Sequence, residues 1–193
     1  MSAARFRIAW LAALAALLWL APPARADEIE VRNARLAATE EGYALDAEFE
    51  FELNPRLEDA LAKGVPLFFV IEFEAERPRW YWWNERVVQR TLHVRLSYNA
   101  LTRQYRVSSG GALAQNFATL AEAQRAVARV RDWLVLERGQ TRPDETYLIA
   151  LRMRLDLTQM PKPFQVSALT NRDWTLASDW KRWRFTPPER PAR

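Results

Sequence analysis

Hydrophobic and polar side chains alternate most regularly between residues 147 and 157. The apolar positions are Tyr147, Ile149, Leu151, Met153, Leu155 and Leu157. Arg152, Arg154 and Asp156 fall between them. Because successive side chains of a β-strand point to opposite faces, this pattern predicts a strand with one buried and one charged face. Pro161 and Pro163, which have no backbone N–H to donate, end the strand or confine it to an edge.

Shorter stretches with alternating or β-branched and aromatic residues predict further strands. They cover residues 28–38, 43–53, 65–76, 86–98, 103–108 and 133–137. Two helices are predicted between them. Asn54 and Pro55 are typical of a helix N-cap and first helical position, and Thr119 with Glu122 forms a capping box. The apolar face of the second helix comprises Leu120, Ala123, Val127 and Val130.

Many strands, tight turns and only two short helices predict a mainly β fold. We expect a single antiparallel β-sandwich of immunoglobulin-like type over residues 27–186. The proline-rich residues 187–193 predict a disordered tail. Residues 180–184, which mix tryptophan with basic residues, are interpreted as a solvated arginine face around two packed tryptophans.

Charge predicts which strands are neighbours. The strand at residues 43–53 presents acidic side chains at every second position. Like charges directly opposite each other destabilise a sheet, so this strand is expected to avoid the one with Glu72 and Glu74. A neighbour that carries arginines is expected instead, such as the strand with Arg152 and Arg154 or the strand with Arg90 and Arg95.

The chain begins with the three parts of a secretory signal peptide. Arg5 and Arg7 form a basic start, residues 8–21 are apolar, and Ala24-Arg25-Ala26 offers a cleavage site. The apolar run is shorter than the roughly 20 residues that a spanning helix needs. The pattern therefore predicts a signal peptide over residues 1–26, a periplasmic location and no stable membrane span after cleavage. The alternative is an uncleaved segment that anchors the protein in the inner membrane.

Removing the signal peptide changes the charge of the protein. The chain has 28 basic and 24 acidic residues, and three of the arginines but none of the acids lie in residues 1–26. The mature chain therefore carries 25 basic and 24 acidic side chains, a net charge of +1. Such a balance gives little attraction for phosphates, so no nucleic acid partner is expected. The absence of cysteine excludes thiol catalysis and disulfides, which leaves packing to stabilise the fold.

No catalytic, metal or cofactor motif stands out. His93 is the single histidine and lies on the same face of its strand as Arg95. The chain has no G-x-S-x-G motif and no glycine-rich phosphate loop. We therefore expect no enzyme activity, no metal and no cofactor. A pair of carboxylates that converges only in the folded protein stays open as an alternative, because spacing in sequence cannot reveal it.

An aromatic connection at residues 77–85 is the best candidate for a binding site. Its candidate residues are Trp80, Tyr81, Trp82, Trp83 and Arg79. Four consecutive aromatic side chains in a connection cannot all point into a core, and an exposed aromatic patch often marks a binding surface. The alternative is a plug over one end of the sandwich, with nearby arginines stacked on the rings.

Three stretches carry a resemblance to a known family. They are RWYWWNERVV, LSYNALTRQYRVSSG and MRLDLTQMPKPFQVSALTNRDW followed by SDW. Over residues 28–186 the chain resembles the bacterial domain of unknown function family 4390. The resemblance implies an exported proteobacterial protein and an association with genes beside a two-component sensor kinase. It implies no catalytic or ligand residues.

These observations favour one function over two others. The first is a non-enzymatic protein-binding module of the cell envelope, whose partner is an envelope protein such as a sensor kinase. The second is a periplasmic small-ligand or glycan binder that uses the same aromatic residues. The third is a hydrolase whose carboxylates converge on folding.

Overall fold

The computed structural model describes residues 29–79, 81, 84–111, 113–162, 164–165 and 174–188. The strands within them are β1 (Glu30–Ala38), β2 (Gly42–Glu50), β3 (Leu67–Arg77), β4 (Glu85–Asn99), β5 (Gln104–Ser109), β6 (Gln115–Phe117), β7 (Arg129–Glu137), β8 (Tyr147–Leu155) and β9 (Lys181–Phe185). The helices are α1 (Pro55–Ala62) and α2 (Leu120–Val127), with a 3₁₀ turn at Leu157–Gln159.

The strands form two antiparallel sheets that pack against each other. One sheet has the order β1-β2-β7 and the other the order β6-β5-β4-β3-β8-β9. In immunoglobulin lettering, the first sheet corresponds to strands A, B and E. Read from β9 to β5, the second sheet corresponds to G, F, C, C′ and C″ of a variable-type domain. The predicted immunoglobulin-like β-sandwich is confirmed.

The core lies between the two sheets, and β3 and β8 supply its centre. On β8, the predicted inner set is fully buried at Tyr147, Ile149, Leu151 and Met153. On β3, the inner positions are Leu67, Phe69, Ile71, Phe73 and Ala75, all with 0% exposure. Alternate residues of β2 cover them from the opposite sheet, including Leu45 and Phe49. Apolar burial of this kind, at roughly 25 cal/mol per Å², is the main stabilisation available to a chain without disulfides.

A tyrosine corner fixes the connection between β7 and β8. The Tyr147 hydroxyl accepts a hydrogen bond from the Arg142 backbone N–H at 2.9 Å and donates one to Glu145 at 2.8 Å. A tyrosine at the start of strand F that bonds back to the preceding backbone is a hallmark of immunoglobulin domains. Two residues later, where antibody domains place their second cysteine, this chain has the buried Ile149.

Both helices begin at the predicted caps. The Asn54 side chain accepts from the Leu57 N–H at 3.0 Å, and Thr119 and Glu122 form a complete capping box. The second helix ends earlier than predicted, because Val130 belongs to β7, which begins at Arg129 rather than at residue 133. The cause is a bulge at Asp132, whose φ of 50° interrupts the alternation on which a strand prediction depends.

Arg182 and Arg184 are exposed and Trp183 packs against the core, as predicted for residues 180–184, but the strand that these residues form was not predicted. Residues Lys181–Phe185 form β9, which pairs along β8 and places Trp183 against the core. Trp180 precedes the strand and lies half-buried on the other side of the sheet. Five alternating residues are too few to distinguish an edge strand from a loop by periodicity alone.

The acidic strand has arginine neighbours, but not the predicted ones. β2 lies between β1 and β7, where Arg35 contacts Asp46 at 2.9 Å and Arg129 contacts Glu48 at 3.1 Å. Arg152 and its neighbours on β8 instead lie beside β3. The rule that opposite charges face each other therefore holds, while the assignment of strand pairs from it was wrong.

Two predictions fall on parts of the chain outside the described residues. These are the signal peptide at residues 1–26 and the final residues 189–193 of the predicted tail. Among the residues that are described, no helix is long and apolar enough to cross a membrane.

Candidate functional site

The aromatic connection joins β3 to β4 at the end of the sandwich where β8 begins. Glu76 at the end of β3 lies opposite Leu148 at the start of β8, which fixes this position. Of the predicted site residues, Tyr81 is 60% exposed and Arg79 is also exposed. Trp80, Trp82 and Trp83 lie outside the described residues.

Charged groups hold the base of this connection to the tyrosine corner. Arg77 and Arg79 both reach Glu85, at 3.4 and 2.5 Å. Arg77 Nε also lies 3.0 Å from the Glu145 carboxylate, close enough for an ion pair although its angle is not that of a hydrogen bond. Its guanidinium carbon is 6.0 Å from the Tyr147 ring centroid. The two ends of the connection are therefore tied to each other and to the β7–β8 corner.

These ion pairs also set the protonation of the carboxylates. The hydrogen bond from Arg79 is the main cause that lowers the pKa of Glu85. The hydrogen bond from Tyr147 is the main cause that lowers the pKa of Glu145, with further lowering by Arg77. Both groups stay ionised at neutral pH, which suits a structural role and not that of a general acid.

The outer face of the six-stranded sheet, formed by the side chains of β4, β3, β8 and β9 that point away from the core, carries a second cluster. Glu72 pairs with Arg152 and, at 3.4 Å, with Arg154. The Arg152 guanidinium carbon lies 4.4 Å from the centroid of the Trp180 ring. Val70, which points outward from the same sheet, is only 2% exposed.

This cluster extends to His93 through one glutamine. Gln159 Nε2 lies 3.0 Å from an oxygen of Asp156 and 3.3 Å from His93 Nδ1. Burial acts to raise the pKa of Asp156, but hydrogen bonds from Thr158 and Gln159 outweigh it and lower the pKa. His93 is exposed on the Arg95 side of β4, as predicted, and an amide rather than a carboxylate contacts its ring.

Sequence reasoning missed this outer cluster because its members come from three separate stretches. The arginines at alternate positions of β8 were visible as a charged face. The stacking of Trp180 on Arg152 depends on the loop that brings residue 180 beside β8, and no local pattern encodes it. Within the described part of the chain, no group of three or more His, Asp or Glu side chains is arranged to hold a metal ion.

A shallow groove of about 200 Å³ lies at the same end as the aromatic connection. Its lining comprises Gly42, Tyr43, Glu137, Arg138, Gly139, Thr141, Pro143, Pro187 and Pro188. Pockets for drug-sized ligands typically enclose roughly 300–1,000 Å³. The groove is therefore smaller than those pockets.

A family model described as "Domain of unknown function (DUF4390)" matches residues 26–184. The chain belongs to the DUF4390 family. The family resemblance predicted from the three sequence stretches is thereby confirmed. The matched region runs from just before β1 into β9, so the DUF4390 domain and the β-sandwich are the same unit. Searches of curated proteins and of solved structures found no significant match.

Proposed function

We propose that this protein is an exported, non-enzymatic binding module of the bacterial cell envelope that docks on another envelope protein through its aromatic connection. The observation that carries the proposal is the position of Tyr81. Its side chain is 60% exposed, and the segment that presents it is tied down at both ends by Arg77, Arg79 and Glu85.

A tyrosine presented in this way suits protein recognition. Tyrosine offers a large amphipathic contact area and, with tryptophan and arginine, is enriched among the residues that dominate binding energy. A segment whose two ends are already held loses less conformational entropy when its partner binds. A sensor kinase as the partner rests on the family resemblance alone.

The test is cross-linking of the tagged protein in its native host, with comparison of Tyr81→Ala, Trp82→Ala and Trp83→Ala variants. We expect one partner in comparable amount, and a loss of more than about tenfold in its recovery for at least one variant, since hot-spot truncations cost ~2 kcal/mol or more. Leu101→Ala is the matched control, because Leu101 is 96% exposed in the β4–β5 turn at the opposite end.

The proposal fails if all three aromatic variants recover the partner as well as the control does. Circular dichroism of each variant shows whether the fold is retained. A loss of binding supports the proposal only in a variant that keeps the β-sheet signal of the wild type.

The second candidate function is binding of a glycan or another small ligand. The groove beside Tyr43 is the observation that favours it, because it lies at the same end as Tyr81. Saturable quenching of tryptophan emission by envelope sugars or peptidoglycan fragments, lost in Tyr81→Ala, would support this function. The small volume of the groove favours the protein-binding alternative.

A further inference from the structure

Charges on the outer face of the six-stranded sheet form two stripes. In one row of the sheet, Glu74 on β3, Ala150 on β8 and Arg182 on β9 lie side by side. In the row nearest the aromatic connection, Glu76, Leu148 and Arg184 lie side by side on the same three strands. Since neighbouring strands are about 4.8 Å apart, an acidic stripe and a basic stripe run roughly 10 Å from each other with an apolar row between them.

None of these four charges forms an ion pair in the described part of the chain, although Arg86 on β4 lies opposite Glu76 in the strand register. Glu74 accepts only from the Gln89 amide at 3.3 Å, and Glu76 only from the Asn84 amide at 3.1 Å. Arg182 lies 6.0 Å from the Trp180 ring centroid, and Arg184 forms no ion pair among the described residues. This differs from the row above, where Glu72 is bound by two arginines of its own chain.

The row between the stripes is not part of the core. Leu148 is half-buried, yet it is not among the side chains that pack against the core cluster. Ala150 has a small side chain and is also half-buried. The lower half of the outer face therefore carries negative, apolar and positive strips, in that order, on β3, β8 and β9.

We propose that this face binds a second copy of the same chain, face to face, about a two-fold axis that runs along β8. That rotation places β3 of each copy over β9 of the other. Glu74 then faces Arg182 of the second copy, Glu76 faces its Arg184, and the two apolar rows meet at the axis. In these two rows, a two-fold axis across the strands would instead place like charges together, so the charges of these rows select the first arrangement. The same axis also brings Arg152 and Arg154 of the two copies together, and Glu72 of each chain pairs with both of these arginines.

The size and shape of the face fit a reversible dimer. Four strands at about 4.8 Å spacing, over the roughly 15 Å that the five-residue β9 spans, present ~300 Å² per copy. This is well below the ~800 Å² of a standard interface and fits a weak association. Two sheets that pack face to face with nearly aligned strands follow the ordinary geometry of β-sandwich layers. Because the axis runs along the strands, both aromatic connections would lie at the same end of the dimer.

Sedimentation velocity of the purified protein over ~1–200 μM tests the proposal. We expect a concentration-dependent shift to twice the monomer mass in about 0.1 M salt, and about tenfold or more weaker association in 0.5 M salt, where charges are more strongly screened. Glu74→Arg/Glu76→Arg and, separately, Arg182→Glu/Arg184→Glu should each weaken self-association by ~100-fold or more, because like charges then face each other.

A mixture of the two double variants gives the decisive result. In a complex of one variant with the other, positions 74 and 76 of each chain face an opposite charge at positions 182 and 184 of its partner. The mixture should therefore form a 1:1 complex although neither variant self-associates. Glu40→Arg/Glu41→Arg is the matched control, since it makes the same charge change in the exposed turn between β1 and β2 of the other sheet and should still dimerise. A monomeric wild-type protein at all concentrations, dimers of the double variants, or no complex in the mixture would each overturn the proposal.

Discussion

The two faces of β8 share one backbone and one register, yet different causes determine their surroundings. On the inner face, Tyr147, Ile149, Leu151 and Met153 are fully buried among apolar side chains. On the outer face, Leu148, Ala150, Arg152 and Arg154 are all half-buried. Burial of the inner face follows from the period of the strand itself. The contacts of the outer face follow from which strands lie beside β8, and that is where the candidate interaction surface arises.

The largest expected effect comes from truncating one leucine on each face of β8. Leu151→Ala should lower the free energy of unfolding by ~2–5 kcal/mol, because it removes apolar burial and leaves a cavity in the core. Leu148→Ala removes the same atoms from the outer face and should cost less than ~1 kcal/mol. Urea unfolding of both variants followed by tryptophan fluorescence gives the two values.

Similar losses in the two variants would contradict the comparison. In that case the outer face would contribute to the fold as a second core, and the proposed role of Leu148 at a dimer axis would lose its basis. The measurement is therefore best made below the concentration at which the protein self-associates.

The next effect in size concerns the tyrosine corner. Tyr147→Phe keeps the buried ring but leaves the Arg142 N–H without its partner, so we expect a loss of ~1–3 kcal/mol in the free energy of unfolding. Tyr98→Phe is the matched control. Tyr98 is half-buried against Tyr105, with ring centroids 4.8 Å apart, and its hydroxyl has no hydrogen bond among the described residues. Equal thermal stabilities for the two variants would show that the corner hydroxyl contributes nothing.

Sequence patterns predicted the structure where its causes are local. The inner face of β8, the Asn54 cap and the Thr119 capping box all depend on residues a few positions apart, and each was confirmed. The prediction for β7 failed before Asp132, because this residue has a positive φ and shifts the alternation of inward and outward side chains. Strand prediction also failed at β9, whose strand character depends on pairing with β8.

The candidate surfaces were predictable only in part, for the same reason. The aromatic connection was proposed from its composition, because four adjacent rings cannot all be buried, and it stays a prediction. The charge stripes could not be predicted from the sequence. Glu74 and Arg182 are more than a hundred residues apart, and only the strand order shows that they lie on either side of Ala150. Charge patterning predicted that acidic strands lie beside arginines but could not determine which ones.

The smallest expected effect comes from Glu72, the outer-face carboxylate that its own chain does pair. Burial acts to raise the pKa of Glu72, but hydrogen bonds from Arg152 and Arg154 outweigh it, so the pKa is lowered. A carboxylate with a lowered pKa stabilises the fold at pH values above its unfolded value of roughly 4.3, and this stabilisation disappears as the pH falls through the folded pKa. Glu72→Gln should therefore lose up to ~1 kcal/mol at pH 7 and should lose less stability than wild type on acidification below about pH 5. Urea midpoints at several pH values compare the two proteins. Parallel plots of urea midpoint against pH would mean that the ion pairs between Glu72 and β8 contribute nothing to stability. The paired and unpaired charges of the outer face would then contribute equally little to the fold.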